Sequence, residues 1–233
     1  MSFQIHLGDS LAWLKTLPDN SVDSVVCDPP YGLKFMGSKW DADVPGVDVW
    51  AECLRVLKPG GHLLAFAGTR TQHRMATRIE DAGFEIRDMI AWVFSSGFPK
   101  SHNVGKKIDQ TVGAEDSSEK FRGFGTALKP ALEPITLARK PFTGTVAQNV
   151  MTHGTGAINI DGCRVGTGED RACPSESGLT AIWGAASKRI PRPTGARWPA
   201  NFILSYPEDE YILSAIATTE QRAELSRWLH ANT

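Results

Sequence analysis

Residues 25 to 31 read Val-Val-Cys-Asp-Pro-Pro-Tyr, an apolar run that stops on a carboxylate, two prolines and a phenol. An ionised Asp28 side chain can only accept hydrogen bonds. Pro29 and Pro30 have a fixed φ and no N–H, so their carbonyls stay pointed in one direction. Tyr31 adds a flat aromatic face. Rigid acceptors beside a stacking ring suit an exocyclic amino group on a planar base. The acceptors take its two N–H hydrogens and turn the nitrogen lone pair toward an electrophile, with no strong base required. A strand-end turn of purely structural purpose is the other account of the same four residues.

The elements that must position this site come from periodicity. "FQIHL" alternates Phe3, Ile5 and Leu7, which predicts a strand. Gly8-Asp9-Ser10 comes next, and Leu11, Leu14 and Leu17 share a helical face broken by Pro18. "SVDSVVC" predicts a strand ending at Asp28. Residues 47–57 place Trp50, Leu54 and Leu57 on one stripe, and Lys58-Pro59-Gly60-Gly61 reads as a helix stop and turn. "HLLAFAG" is a continuous apolar run, expected of a strand covered on both faces. Residues 69–82 predict a helix with Met75, Ile79 and Ala82 inward and Arg70, Arg74, Arg78 and Glu80 outward. "FEIRDMIAWVF" predicts the next strand. This order implies an α/β fold with a parallel or mostly parallel sheet and crossover helices. In such a sheet ligands sit beyond the carboxyl ends of the strands, where Asp28 lies.

The remainder is less regular. We divide the chain into a catalytic core over residues 1–110, a region of recognition loops over 111–200 with one returning strand near 133–140 ("EPITLARK"), and a C-terminal segment over 201–233. That last segment holds the short apolar run "FIL" and an amphipathic helix over 218–230. Residues 163–197 are rich in Gly, Pro, Ser and Arg and read as a long loop or small recognition region.

The chain has 233 residues, 41% of them hydrophobic, enough for one sizeable core. No run of about 18 apolar residues predicts a membrane span, and the N-terminus lacks the pattern of a signal peptide. Four scattered cysteines predict neither a zinc site nor a disulfide framework, which suits a reducing cytoplasm. A net charge of −1 leaves nucleic-acid binding to a local basic patch.

"DPPY" after an apolar strand resembles the signature of the amino DNA methyltransferases, and "IHLGDSLAWLKTLPDNSVDSVVCDPPYG" is similar to the N-terminal block of their permuted β type, found in bacteria and phages. "LRVLKPGGHLLAFAG", "FEIRDMIAWV", "GFPKS" and "ALEPITLARKP" are also similar to family segments. The resemblance runs over roughly residues 3 to 205. It implies a Rossmann-like sheet, S-adenosylmethionine as cofactor, DNA as substrate, and methyl transfer to N6 of adenine, toward which Asp rather than Ser at position 28 leans. N4 of cytosine, RNA and a protein amide are the other acceptors such a site could serve. By resemblance, Asp28 and the carbonyl of Pro29, in the Asp28-Pro29-Pro30-Tyr31 motif, hold the target amine. Tyr31 stacks on the base, which must leave the duplex to be reached.

Beyond the motif, each candidate carries two readings. Asp9 is a cofactor-pocket residue by resemblance, or a helix N-cap. "GLKFMGSKWD" is a lid with Lys34 and Lys39 toward phosphates and Trp40 toward DNA, or a solvated loop whose aromatics pack locally. Lys100, Lys106, Lys107, Lys188, Arg189, Arg192 and Arg197 form a phosphate-binding surface or a solvated face. "HGTGAINIDGCRVG" reads as a candidate substrate loop. The family's cofactor element, a Phe-x-Gly-x-Gly turn between strand and helix, has one literal match, Phe121-Arg122-Gly123-Phe124-Gly125. No apolar strand precedes it, and Pro130 and Pro134 interrupt the stretch where its helix should run, so it reads as a chance match. Three expectations result. A companion chain or homodimer completes the sheet; or the chain is an incomplete, DNA-binding relative of the enzyme; or a shortened fold binds the cofactor through Asp9, Asp28 and the Phe66-Ala67-Gly68 strand end.

Overall fold

The computed structural model describes residues 3–34, 37–99, 101–113, 119–166 and 196–205. The described residues up to Ala157, with 201–205, form one compact unit, and 158–166 with 196–200 belong to a second. In the first unit the order is α1 (Ser10–Leu14), β1 (Val22–Cys27), α2 (Val47–Val56), β2 (Leu57–Phe66), α3 (Gln72–Asp81), β3 (Glu85–Phe94), α4 (Val104–Val112), β4 (Leu132–Arg139) and α5 (Val146–His153). In the second, β5 (Val165–Gly166) pairs antiparallel with β6 (Ala196–Arg197), and the Arg164 guanidinium lies 5.3 Å over the Trp198 ring. β7 (Phe202–Ser205) returns to the first unit. The expected helix over 218–230 and most of the expected loop over 163–197 lie outside the described residues.

The main sheet has the order β1-β2-β4-β3-β7. β1 and β2 run parallel, joined through α2, and β3 runs parallel to β7, but β4 enters between β2 and β3 antiparallel to both. The sheet is therefore mixed, a correction to the mostly parallel expectation. The connection from β3 to β4 contains α4 but returns the chain beside the strand it left. Such a reversal gives an antiparallel neighbour without a crossover.

Side-chain alternation assigns the faces. Leu63, Ala65, Ala67 and Ala138 point to one face, where Trp50, Cys53 and Val56 of α2, Met75 and Ile79 of α3, and Leu14 of α1 close a core. On the other face, Phe66, Ile135, Glu133, Trp92 and Phe94 share a side, with Trp92 packed edge-on against Phe66 at 6.1 Å and tilted against Phe94 at 5.6 Å. Ile135 is buried on this face and the others are half-buried, so among the described residues the second face is covered less completely than the first.

One local expectation fails. "FQIHL" is not a strand: residues 3–7 have no sheet partner, and Phe3, Ile5 and Leu7 are 86%, 85% and 104% exposed. Alternation specifies a face, but a strand also needs a neighbour for its backbone groups, and β1 pairs only with β2 among the described residues. The expected helix stop and turn at Lys58–Gly61 takes the form of an irregularity within β2, where the ladder with β1 steps from Val22–Leu57 to Ser24–His62. α2 passes directly into β2, and Gly60, at φ 78°, makes the bend inside the strand. A Cβ there would fall 2.5 Å from Asn149 Nδ2 and 3.0 Å from Gly156 Cα. That contact also ties the first residues of the candidate substrate loop to the start of β2. Asn149 donates to the Pro59 and Thr155 carbonyls at 2.9 and 2.8 Å, and the Thr155 hydroxyl donates to the Pro59 carbonyl at 2.6 Å. Thr155 and Gly156 thus brace the start of β2, several residues from the strand end that neighbours Asp28.

No helix among the described residues is long and apolar enough to cross a membrane.

Candidate active site

β1 delivers Asp28 to its carboxyl end, beside the end of β2, because Cys27 pairs with Ala65. Asp28 is exposed, while Pro29, Pro30 and Tyr31 are half-buried. The pKa of Cys27, just before the motif, is pushed up to about 12 by burial, with Cys53 and Asp28 adding to the effect, so its thiol stays protonated and is no nucleophile.

Beyond Tyr31 the chain folds back and is pinned. Gly32 adopts φ 68°, and a Cβ there would lie 2.9 Å from Val44 N. The Asp41 carboxylate, 3% exposed, accepts from the Gly32 and Leu33 amides at 2.8 and 3.2 Å, and the Asp41 carbonyl accepts from Lys34 N at 2.8 Å. The next turn is tied to α3. Arg78 donates to the Asp43 carboxylate at 2.6 Å and to the Val44 and Pro45 carbonyls. Hydrogen bonding from Arg78 and from the Val44 amide holds the Asp43 carboxyl below its usual range. Arg78 was expected to point outward; it instead clasps the loop, because a guanidinium satisfies several acceptors at once.

Tyr31 crosses the end of β2 at Gly68, where a Cβ would meet Tyr31 Cδ2 at 3.4 Å and Leu33 Cδ1 at 3.2 Å. Its hydroxyl reaches Glu133 Oε2 on β4 at 3.4 Å. Burial, the neighbouring Asp28 carboxylate and the charge of Glu133 push the phenol well above its ordinary value. Burial and the charge of Asp28 raise Glu133, offset in part by the Tyr31 hydroxyl.

Next to this loop lies a shallow depression lined by Gly32, Leu33, Lys34, Ala42, Arg70, Thr71 and Arg74. Three cations converge there from the loop and from the start of α3. Lys39 and Trp40 are exposed on the same loop. Asp9 does what an N-cap does: its carboxylate accepts from Ala12 N at 2.8 Å at the start of α1. Phe121, at the end of a 3-10 turn (Glu119–Phe121), packs edge to face against Phe124 at 5.8 Å. Lys100, Lys188, Arg189 and Arg192 lie outside the described residues. Glu133, Asp41, Arg70 and Arg74 were not singled out as site residues. Asp41 closes the very loop the motif opens, but its partners are nine and eight residues away.

M.HindIII of Haemophilus influenzae, a type II methyltransferase, is 26% identical to this chain over an alignment of 199 residues, gaps included, that covers 66% of this chain and 64% of M.HindIII. M.BglII of Bacillus subtilis, also a type II methyltransferase, is 32% identical over an alignment of 112 residues, gaps included, that covers 40% of this chain and 30% of that protein. The chain thus spans less than two thirds of the length of either. The crystal structure of the M1.HpyAVI–SAM complex is similar with a TM-score of 0.38 and 21% identity, covering 61% of this chain and 56% of that one. The DNA methylase family that comprises N6 and N4 methyltransferases matches residues 22–183, from the first residue of β1 onward, and the chain belongs to that family.

Proposed function

We propose that the chain carries the target-base site of an S-adenosylmethionine-dependent DNA methyltransferase of the permuted β type, acting on N6 of adenine. The observation that carries the reading is the exposed Asp28 held at a strand end beside Tyr31, with a basic depression next to it. Asp28 and the Pro29 carbonyl accept the two hydrogens of the amine and fix its lone pair, and Tyr31 stacks on the extruded base. Catalysis is orientation and preorganised electrostatics. Lys34, Arg70 and Arg74 meet the DNA backbone, with Lys39 and Trp40 on the lid. The choice of adenine over cytosine rests on Asp at position 28.

S-adenosylmethionine supplies the methyl group. The exposed Asp28 carboxylate and the Phe66–Gly68 strand end fit the cationic amino-acid half of that cofactor. Its adenosine half needs a pocket that the described residues do not supply. The edge of β1, unpaired among the described residues, therefore favours a second reading, in which a companion polypeptide or a second copy completes the sheet and the pocket.

The test is transfer of labelled methyl from S-adenosylmethionine to unmethylated DNA, with Asp28→Ala as control and nucleoside analysis of the product. Label in N6-methyladenine, reduced at least ~100-fold in the control, is the expected result. Label in N4-methylcytosine would correct the base, and undiminished transfer by Asp28→Ala would overturn the assignment. DNA binding without transfer by the chain alone would favour the second reading.

A further inference from the structure

At the carboxyl ends of β1 and β2 one phenol stands between two carboxylates. The Tyr31 hydroxyl has one hydrogen to donate; it reaches Glu133 Oε2 at 3.4 Å, and Asp28 acts on the same phenol electrostatically. Its distance to Glu133, 3.4 Å, is long for a hydroxyl hydrogen bond, so the hydrogen is not committed to that partner. Glu133 reaches the site from a strand that does not adjoin β1. β2 lies between them, and the side-chain-free Gly68 lets the Tyr31 ring pass over its end. Glu133 pairs with Trp92 across the sheet and shares its face with Phe66 and Phe94.

Packing does not account for a carboxylate in that place. It is half-buried beside aromatic rings, and the ionisable groups acting on it are Asp28, a like charge, and Tyr31. Such an environment disfavours the charged form. An apolar residue would suit a sheet face there, whereas an acceptor suits a hydroxyl.

We propose that Glu133 is a positioning residue that takes the Tyr31 hydroxyl whenever an amine occupies Asp28. Resting on the base-site reading above, the argument is one of donor arithmetic. An entering amine donates to the Asp28 carboxylate, which has lone pairs for more than one donor. Glu133 gives the phenol its own acceptor, which leaves those lone pairs to the substrate and fixes the angle of the stacking ring. No covalent bond is made or broken in this step.

The test compares Glu133→Ala, which removes the acceptor, with Glu133→Gln, which keeps a carbonyl oxygen in its place. In the methyl-transfer assay Glu133→Ala lowers the rate about tenfold, and Glu133→Gln stays within about threefold of wild type. In a Tyr31→Phe background Glu133→Ala causes no further loss, because the hydroxyl it served is gone. Independently of activity, protein labelled with 13C at tyrosine Cζ, with Tyr31 assigned from Tyr31→Phe, shows a Tyr31 shift that tracks a carboxyl titration above the ordinary glutamate range. That titration disappears in Glu133→Gln. A Tyr31 resonance blind to Glu133, or full additivity of the two losses, would overturn the proposal. Failure of the wild type to transfer methyl would instead count against the activity, and the Tyr31 resonance would still decide whether Glu133 holds the hydroxyl.

Discussion

Asp28 and Asp41 stand at the two ends of one loop, and their environments set opposite roles. Asp41 is buried and its carboxylate holds the Gly32 and Leu33 amides, so its role is to keep the loop folded. Asp41→Ala leaves two amides without their charged acceptor and should destabilise the fold by about 2–3 kcal/mol, read as a lower urea midpoint at unchanged slope. Asp28→Ala removes an exposed side chain and should move stability by no more than about 0.5 kcal/mol while removing transfer. Equal stability losses in the two variants would contradict this division. The cations of the depression are tested by salt. Replacing Arg70 and Arg74 together by alanine should weaken DNA binding at all sequences and reduce the slope of log affinity against log salt by about 1 for each phosphate no longer neutralised. An unchanged slope would remove them from the DNA-facing surface. At this scale the sequence was most informative where residues act as neighbours. Asp28 to Tyr31 are contiguous, and the chemistry proposed for them rests on type and order. Glu133 is 102 residues from Tyr31, and nothing local to "EPITLARK" says which hydroxyl it will meet.

At the scale of elements, α2, α3, β1 and β3 were legible because each has a full apolar period and a clear stop. α2 buries Trp50, Cys53 and Val56, one residue short of the expected end, since Leu57 already belongs to β2. β4 was legible as a strand but not in direction or place, because periodicity carries no information about neighbours. Its insertion between β2 and β3 has an electrostatic consequence. His62 on β2 pairs with Arg139 on β4, and Arg87 of β3 adds to the same field. Burial first, then the two guanidinium groups, lower the His62 pKa below its ordinary 6.5. The folded state therefore prefers the neutral imidazole. This contribution to stability is fully present above pH 6.5 and is lost as pH falls through the depressed value. Between pH about 7 and about 5 the wild type should lose about 1–3 °C more in Tm than His62→Gln. Parallel curves for the two proteins would show that His62 carries no such penalty.

For the five-stranded sheet as a whole, the strand bearing Asp28 is an edge. β1 gives one side to β2, and its other side is unpaired among the described residues. Val26, near its end, is 65% exposed, and the apolar Phe3, Ile5 and Leu7 stand exposed elsewhere in the same unit. An apolar edge without a free charge or proline within it is a template for another strand. β1 has Asp23 near its start and no proline, and Asp23 is already engaged by Lys58 at 2.6 Å. The purified chain should therefore self-associate with rising concentration, by pairing at β1 rather than through α2 and α3, whose apolar faces already close the core. Val26→Lys places a charge on the edge without touching a core residue, and should shift sedimentation-velocity profiles toward the monomer. Val47→Lys, an apolar and exposed site on α2, serves as the control for added charge alone and should leave association in place. If the two lysine variants dissociate alike, the effect is net charge and the edge is not the contact. If only Val26→Lys dissociates, the strand that presents Asp28 is the one that seeks a neighbour, and the proposed base site and the open side of the sheet share one element.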